Sequence, residues 1–125
     1  MQVSLLVAVA GAGGAGAVVR HLLAQWLKVL WPDLPLATAC VNVVGCLGFG
    51  VCWALAQDRW SPVVAAAVFV GFFGAFTTFS SFAFDCHELL GGARPGWFLI
   101  NVLGQNVLGL SAMAAGLALG SWWRG

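Results

Sequence analysis

The chain has 125 residues, 62% of them hydrophobic and 7% charged, with a formal net charge of +1. Soluble domains carry about 25% charged residues, so this composition cannot cover a water-facing surface and excludes a soluble enzyme. There is no basic patch, which argues against a nucleic-acid partner. The chain reads as an all-α integral membrane protein, a single transmembrane domain over residues 1–125, with mean hydropathy +0.98.

Four spanning segments are predicted. The first runs from about Val3 to Leu27. It has no basic stretch ahead of the apolar run and no clear cleavage site, so it is expected to remain as a span rather than leave as a signal peptide. It contains the dense run Gly11-Ala-Gly-Gly-Ala-Gly16. The pairs Ala12/Gly16 and Gly13/Ala17 have the four-residue spacing that lets membrane helices approach closely. Arg20 lies inside this segment. It either snorkels to the interface or supplies a positive field at a vestibule. His21 is expected at the interface, with no role.

The second segment runs from about Leu36 to Ala56. Thr38 and Asn42 are four residues apart and share a face. Asn42 is either a bond between helices or part of a polar stripe along an ion path, where its amide N–H groups would meet an anion. Cys40, Cys46 and Cys52 fall in the same segment at spacing six; Cys86 comes later. They form no C-x-x-C pair and read as small apolar packing residues.

The third segment, Val63 to Leu90, has about 28 residues and would run about 42 Å as one helix, against a bilayer core of about 30 Å. It must tilt strongly or break. Gly71 and Gly74 weaken the helix, and Thr77, Thr78, Ser80 and Ser81 compete for its backbone bonds. A break near Gly74–Thr78 is expected. Broken backbone in lipid is tolerated only when buried in protein or lining a wet cavity, so this stretch is the leading site candidate. Phe79 and Phe82 follow on one face at i, i+3, and Asp85 continues the row. Glu88 is expected at the interface.

The fourth segment runs from about Gly96 to Trp123. Asn101, Gln105 and Gly109 repeat every four residues, a small polar face suited to a second wall of a narrow path or to bonding between helices. Ala112, Gly116 and Gly120 form another small-residue row. Trp26, Trp31, Trp60, Trp97, Trp122 and Trp123 fall near segment ends, as interfacial aromatic belts do. Only Trp53 sits clearly inside a segment.

Loop charges are balanced. Both termini share a side with the second loop, and that side holds Arg59 and Arg124. The other side holds Lys28 and Arg94. The positive-inside rule then gives no preferred orientation, which suits insertion both ways and antiparallel pairing. Four short helices leave little room for a pathway within one subunit, so an oligomer is expected.

The stretch Gly74-Ala-Phe-Thr77-Thr78-Phe79-Ser80-Ser81-Phe82 resembles the G-G-L-T-T-F-S-T-F motif of the Fluc fluoride channels, also called CrcB. Gly13-Gly14-Ala15-Gly16-Ala17-x-x-Arg20 resembles that family's Gly-rich first helix. Asn42-Val-Val-Gly45 resembles its N-x-x-G second-helix motif. The resemblance covers essentially the whole chain. It implies a fluoride-selective passive channel of the bacterial inner membrane, built as an antiparallel dual-topology homodimer with two pores. It also implies a structural Na⁺ held by backbone carbonyls, which here would be those of Gly74 and Thr77. The pore phenylalanines would be Phe79 and Phe82, with Asn42 and Thr38 on the same track; the Ser81 hydroxyl suits the same path by its chemistry. Asn101 and Gln105 would take the places where the family often has Tyr and Ser. Arg20 would sit at the vestibule, and Asp85, by its place in the row a pore-side acid, a partner of the break or an interfacial charge, matches the family's acid three residues beyond the second Phe. Ala75-Phe76 replaces the usual Gly-Leu.

The chemistry suits the ion. Fluoride is small and strongly hydrated, so a selective pore must replace its water with close but releasing donors. Amide N–H, hydroxyls and the electropositive edges of aromatic rings meet that need. Two other classes fit the sequence less well. A dual-topology proton-coupled multidrug exporter requires a carboxylate in the first helix, and this first helix has none. A non-transporting membrane subunit leaves the arrangement of Asn42, Phe79 and Phe82 without a purpose.

Overall fold

The computed structural model describes residues 2–125. All regular structure among them is helical, and four spans are long and apolar enough to cross a bilayer: Gln2–Leu30, Ala37–Ala56, Pro62–Gly91 and Pro95–Arg124. The first, second and fourth are single helices, α1 (Gln2–Leu30), α2 (Ala37–Ala56) and α6 (Pro95–Arg124). The third is composite. It starts with α3 (Pro62–Ala65), widens into a π-helical stretch at Ala66–Phe73, and closes with the single turn α4 (Gly74–Phe76). After the break it resumes as α5 (Phe79–Gly91).

Three spans outrun their expected lengths. The first continues past Leu27 to Leu30 because Lys28 in its last turn suits the negative helix end and can reach the interface. Pro32 then stops it. Pro62 and Pro95 sit in the first turns of α3 and α6, where a missing N–H costs nothing. Ser61 caps α3 by accepting from the Val64 N–H at 3.3 Å. The π-helical stretch was not expected; its Phe69, Phe72 and Phe73 are ordinary helix residues with no local signature for a wider turn.

The spans pack as two pairs, and small residues decide which pairs form. Gly16 of α1 lies directly against the carbonyl of Phe72, where no side chain could fit. Gly71 answers from the other side, since a Cβ there would meet the Val9 carbonyl at 2.7 Å. The α2–α6 pair repeats the device, with Gly116 against the Leu47 carbonyl and Gly50 facing the Met113 carbonyl. Close backbone approach of this kind replaces the hydrophobic effect, which lipid cannot supply between helices. A small core of Leu27, Val41 and Phe76 joins the pairs at one end. Toward the other, Trp53 packs edge-on to Phe69, with centroids 5.2 Å apart, and Phe69 stacks on Trp60. Arg124 returns to α2 and donates to the Ala54 carbonyl at 3.3 Å.

The exterior is apolar. Leu110 is 73% and Leu6 64% exposed, as befits a surface that meets acyl chains.

Candidate functional site

The break consists of two extended residues. Thr77 has ψ 152° and Thr78 has φ −148°, ψ 114°. Thr77 still completes the turn behind it, since both its N–H and its hydroxyl donate to the Phe73 carbonyl, at 3.0 and 2.9 Å. Thr78 leaves the ladder. In an unbroken helix its N–H would bond the Gly74 carbonyl. Here it donates instead to Asn42 Oδ1 at 2.8 Å. Asn42 Nδ2 in turn donates to the Thr78 carbonyl at 3.2 Å. The Asn42 amide thus pairs with the Thr78 backbone on both sides, as a neighbouring strand would. The break is half-buried against α2 and lines a cavity, which makes it tolerable at this depth.

Asn42 reaches the break because α2 comes so close to it. Gly45 is three residues on, on the same helix face, and faces the Thr77 methyl with no space for a side chain. The N-x-x-G spacing therefore supplies a donor–acceptor group and the room to use it.

Thr78 also starts α5. Its Oγ1 accepts from the Ser81 N–H at 3.3 Å and lies 3.2 Å from the hydroxyls of both Ser80 and Ser81. The N-terminus of α5 opens onto a cavity of about 540 Å³ lined by Arg20, His21, Lys28, Thr38, Thr78, Ser80, Ser81 and Asp85. A second recess of about 490 Å³ shares Lys28, Thr38 and Asp85 as a common wall and adds Asp33 and Arg94. Two cationic side chains of α1 and the positive end of the α5 dipole give the larger cavity a field that favours anions. Asp85, which lines both recesses, opposes it. Arg20 is farther inside than expected, since α1 continues to Leu30, about 15 Å beyond it at 1.5 Å per residue. His21, given no role in the sequence, belongs to the same lining.

The structure thus gathers Arg20, Thr38, Ser81 and Asp85 around one cavity. Phe79 and Phe82 lie outside its lining. Their rings are 5.5 Å apart at 44°, and Phe79 is 78% exposed, projecting from the chain. Asn101 and Gln105 face a different and much smaller cavity, about 80 Å³, walled mostly by apolar groups such as Leu36, Val43 and Trp97. They reach the break through side chains. Asn42 Nδ2 donates to Gln105 Oε1 at 2.9 Å, Gln105 Nε2 to Asn101 Oδ1 at 2.8 Å, and Asn101 Nδ2 to Cys86 Sγ at 3.3 Å. The spacing of Asn101 and Gln105 was visible in the sequence. Their link to Cys86 was not, because a cysteine among apolar residues carries no sign of a polar neighbour.

Gly74 opens α4 and Thr77 follows its last residue, and the Gly74 carbonyl no longer receives the Thr78 N–H, which goes to Asn42. Hard cations prefer such oxygen donors. No cluster of three or more His, Cys, Asp or Glu side chains is present among the described residues.

Residues 6–117 match the family model described as CrcB-like protein, Camphor Resistance (CrcB). The chain is 42% identical over 115 residues to the fluoride-specific ion channel FluC of Solidesulfovibrio magneticus, covering 90% of this chain and 92% of that one. It is 41% identical over 121 residues to the protein of the same name from Stutzerimonas stutzeri, covering 94% and 98%. An Escherichia coli FluC is 38% identical over 116 residues, covering 91% of each chain. Four spans, a broken third helix held by α2, and these matches along nearly the whole length place the chain in the CrcB family of multi-pass bacterial inner-membrane proteins.

Proposed function

We propose that this protein is a fluoride-selective passive channel that lets F⁻ leave the cell across the cytoplasmic membrane and so relieves fluoride toxicity. One observation carries the reading: a mid-membrane break clamped by Asn42, whose following helix points its positive end at a cavity containing Arg20, in a chain similar to several fluoride-specific channels.

Each group has a task. Arg20 and the N-terminus of α5 gather the anion. Thr38 and Ser81 offer hydroxyls in place of water. Phe79 and Phe82 present ring edges, and Asn42 holds the break that precedes them, backed by Gln105 and Asn101. Asp85, in the wall shared by the two recesses, is the pore-side acid. No Lys or Arg stands at the break itself, so the anion is attracted without being trapped.

Two copies complete the device. The exposed Phe79 needs a facing surface, and a single four-helix chain encloses no continuous path. An antiparallel homodimer supplies both, with two pores. At its centre, the Gly74 and Thr77 carbonyls of the two copies would hold a structural Na⁺. Held there, the cation would add positive potential near both pores.

The test is efflux from liposomes holding the purified protein, read with a fluoride electrode, with a potassium ionophore to cancel charge and chloride as the paired control. Fast fluoride loss with chloride retained is expected. Retention of fluoride by a folded dimer would overturn the assignment.

A further inference from the structure

The hydrogen bonds around Asn42 form a single directed chain. It begins at the Thr78 N–H, passes through the Asn42, Gln105 and Asn101 amides, and ends on Cys86 Sγ. Every amide accepts at its oxygen and donates from its nitrogen. The flip state of each is thereby set by the one before it, starting from a backbone N–H whose direction cannot change. Both ends of the chain lie on the third span. Thr78 caps α5 and Cys86 lies two turns farther along it. The relay ties α5 to α2 at its start and to α6 in its middle.

The geometry points to Gln105 and Asn101 as positioning residues. They take up the Asn42 N–H that the Thr78 carbonyl leaves free, tie α5 to α6 through Cys86, and so fix the angle of the half-helix that bears Phe79 and Phe82. They do not touch the permeating ion themselves. Three observations carry this. Asn101 is only 5% exposed. The cavity beside both residues is small and apolar and excludes Arg20, Thr38 and Ser81. All of their amide atoms named above are spent on protein partners. The inference rests on the fluoride-channel reading for its flux predictions, but the relay itself can be measured without flux.

Gln105→Glu and Gln105→Leu separate the two roles. Beside its small apolar cavity, away from the ion path, a carboxylic acid at this position is neutral. Its carbonyl would still accept from Asn42 and its O–H would still donate to Asn101, so the relay survives. Gln105→Leu cuts it. Fluoride efflux is expected to stay within about threefold of the parent in Gln105→Glu and to fall about tenfold in Gln105→Leu, the scale of one good hydrogen bond. If Gln105 lined the ion path, the added acid would harm flux as much as the leucine or more, and that result overturns the proposal.

The independent readout is the side-chain NH₂ signal of Asn42 in protein labelled with ¹⁵N at its three asparagines, recorded in detergent and assigned by its loss in Asn42→Ser. Gln105→Leu should shift this pair and speed its exchange with water, while Gln105→Glu should leave it near its original place. An Asn42 pair unmoved by Gln105→Leu sinks the relay. Should Gln105→Leu fail to fold, Asn101→Ser cuts the next link and should shift the Gln105 side-chain amide in ¹⁵N-glutamine-labelled protein; no shift there counts equally against it. Absent fluoride flux in the parent protein would overturn the channel reading alone, since the amide signals still report the relay.

Discussion

Asn42 holds the break with both ends of its amide, and few side chains could replace it. An aspartate keeps the acceptor for the Thr78 N–H but loses the donors for Thr78 and Gln105. It also brings a negative charge or forces a proton onto the site. Asn42→Asp is expected to cut fluoride efflux about a hundredfold, the scale of a charged group left without its hydrogen bonds. Undiminished efflux would show that Asn42 is a strut remote from the ion. Phe82 tests a different contribution. Its ring tilts against Phe79, and Phe82→Ile keeps apolar bulk while removing the electropositive edge. Flux should fall about tenfold, in keeping with the energy of an aromatic edge contact, while the dimer still elutes intact on size exclusion. Equal flux would remove the aromatic contribution.

At the scale of the elements, much of the architecture could be read before any coordinates. The excess length of the third span demanded a break, and the clustered Gly, Thr and Ser residues located it within a residue or two. Small-residue rows named the contact faces, and Gly16 and Gly116 are indeed pressed on neighbouring backbone. The π-helical stretch was not legible. A wider turn is a response to how Gly71 and Phe72 meet α1, and that meeting depends on two segments more than fifty residues apart. The relay was half legible for the same reason: periodicity shows which residues share a face, but not what the face meets. Gly45→Val probes this scale. Its side chain would collide with the Thr77 methyl and push α2 away from the break. A loss of about 3 kcal/mol is expected from such overpacking, seen as a lower midpoint in thermal or denaturant titration of the purified protein. A variant as stable as the parent would show that α2 can shift freely there.

For the whole molecule, the balance of charge in the loops is the informative feature. Lys28 and Arg94 stand on one side of the membrane, Arg59 and Arg124 on the other. A C-terminal tag should therefore be accessible from both faces of the membrane in comparable amounts. Adding two lysines to the loop that holds Arg59 should drive most copies into one orientation and abolish fluoride resistance when that variant is expressed alone. Coexpression with a variant biased the other way should restore resistance. Full resistance from a single biased variant would exclude the antiparallel pair.

The break at Thr77 and Thr78 also bears on how such a chain can change over generations. A helix that ends and restarts within two residues presents a negative end and a positive end at one depth in the bilayer, so one irregularity would serve a cation on one side and an anion on the other. Such paired roles would be inherited together. No substitution that straightens the span can spare either, and a one-residue insertion or deletion between Gly74 and Phe79 would rotate α5 by about 100° and carry both phenylalanines off their track. Drift in this protein should therefore run through its lipid-facing surface and leave the length of that short segment untouched.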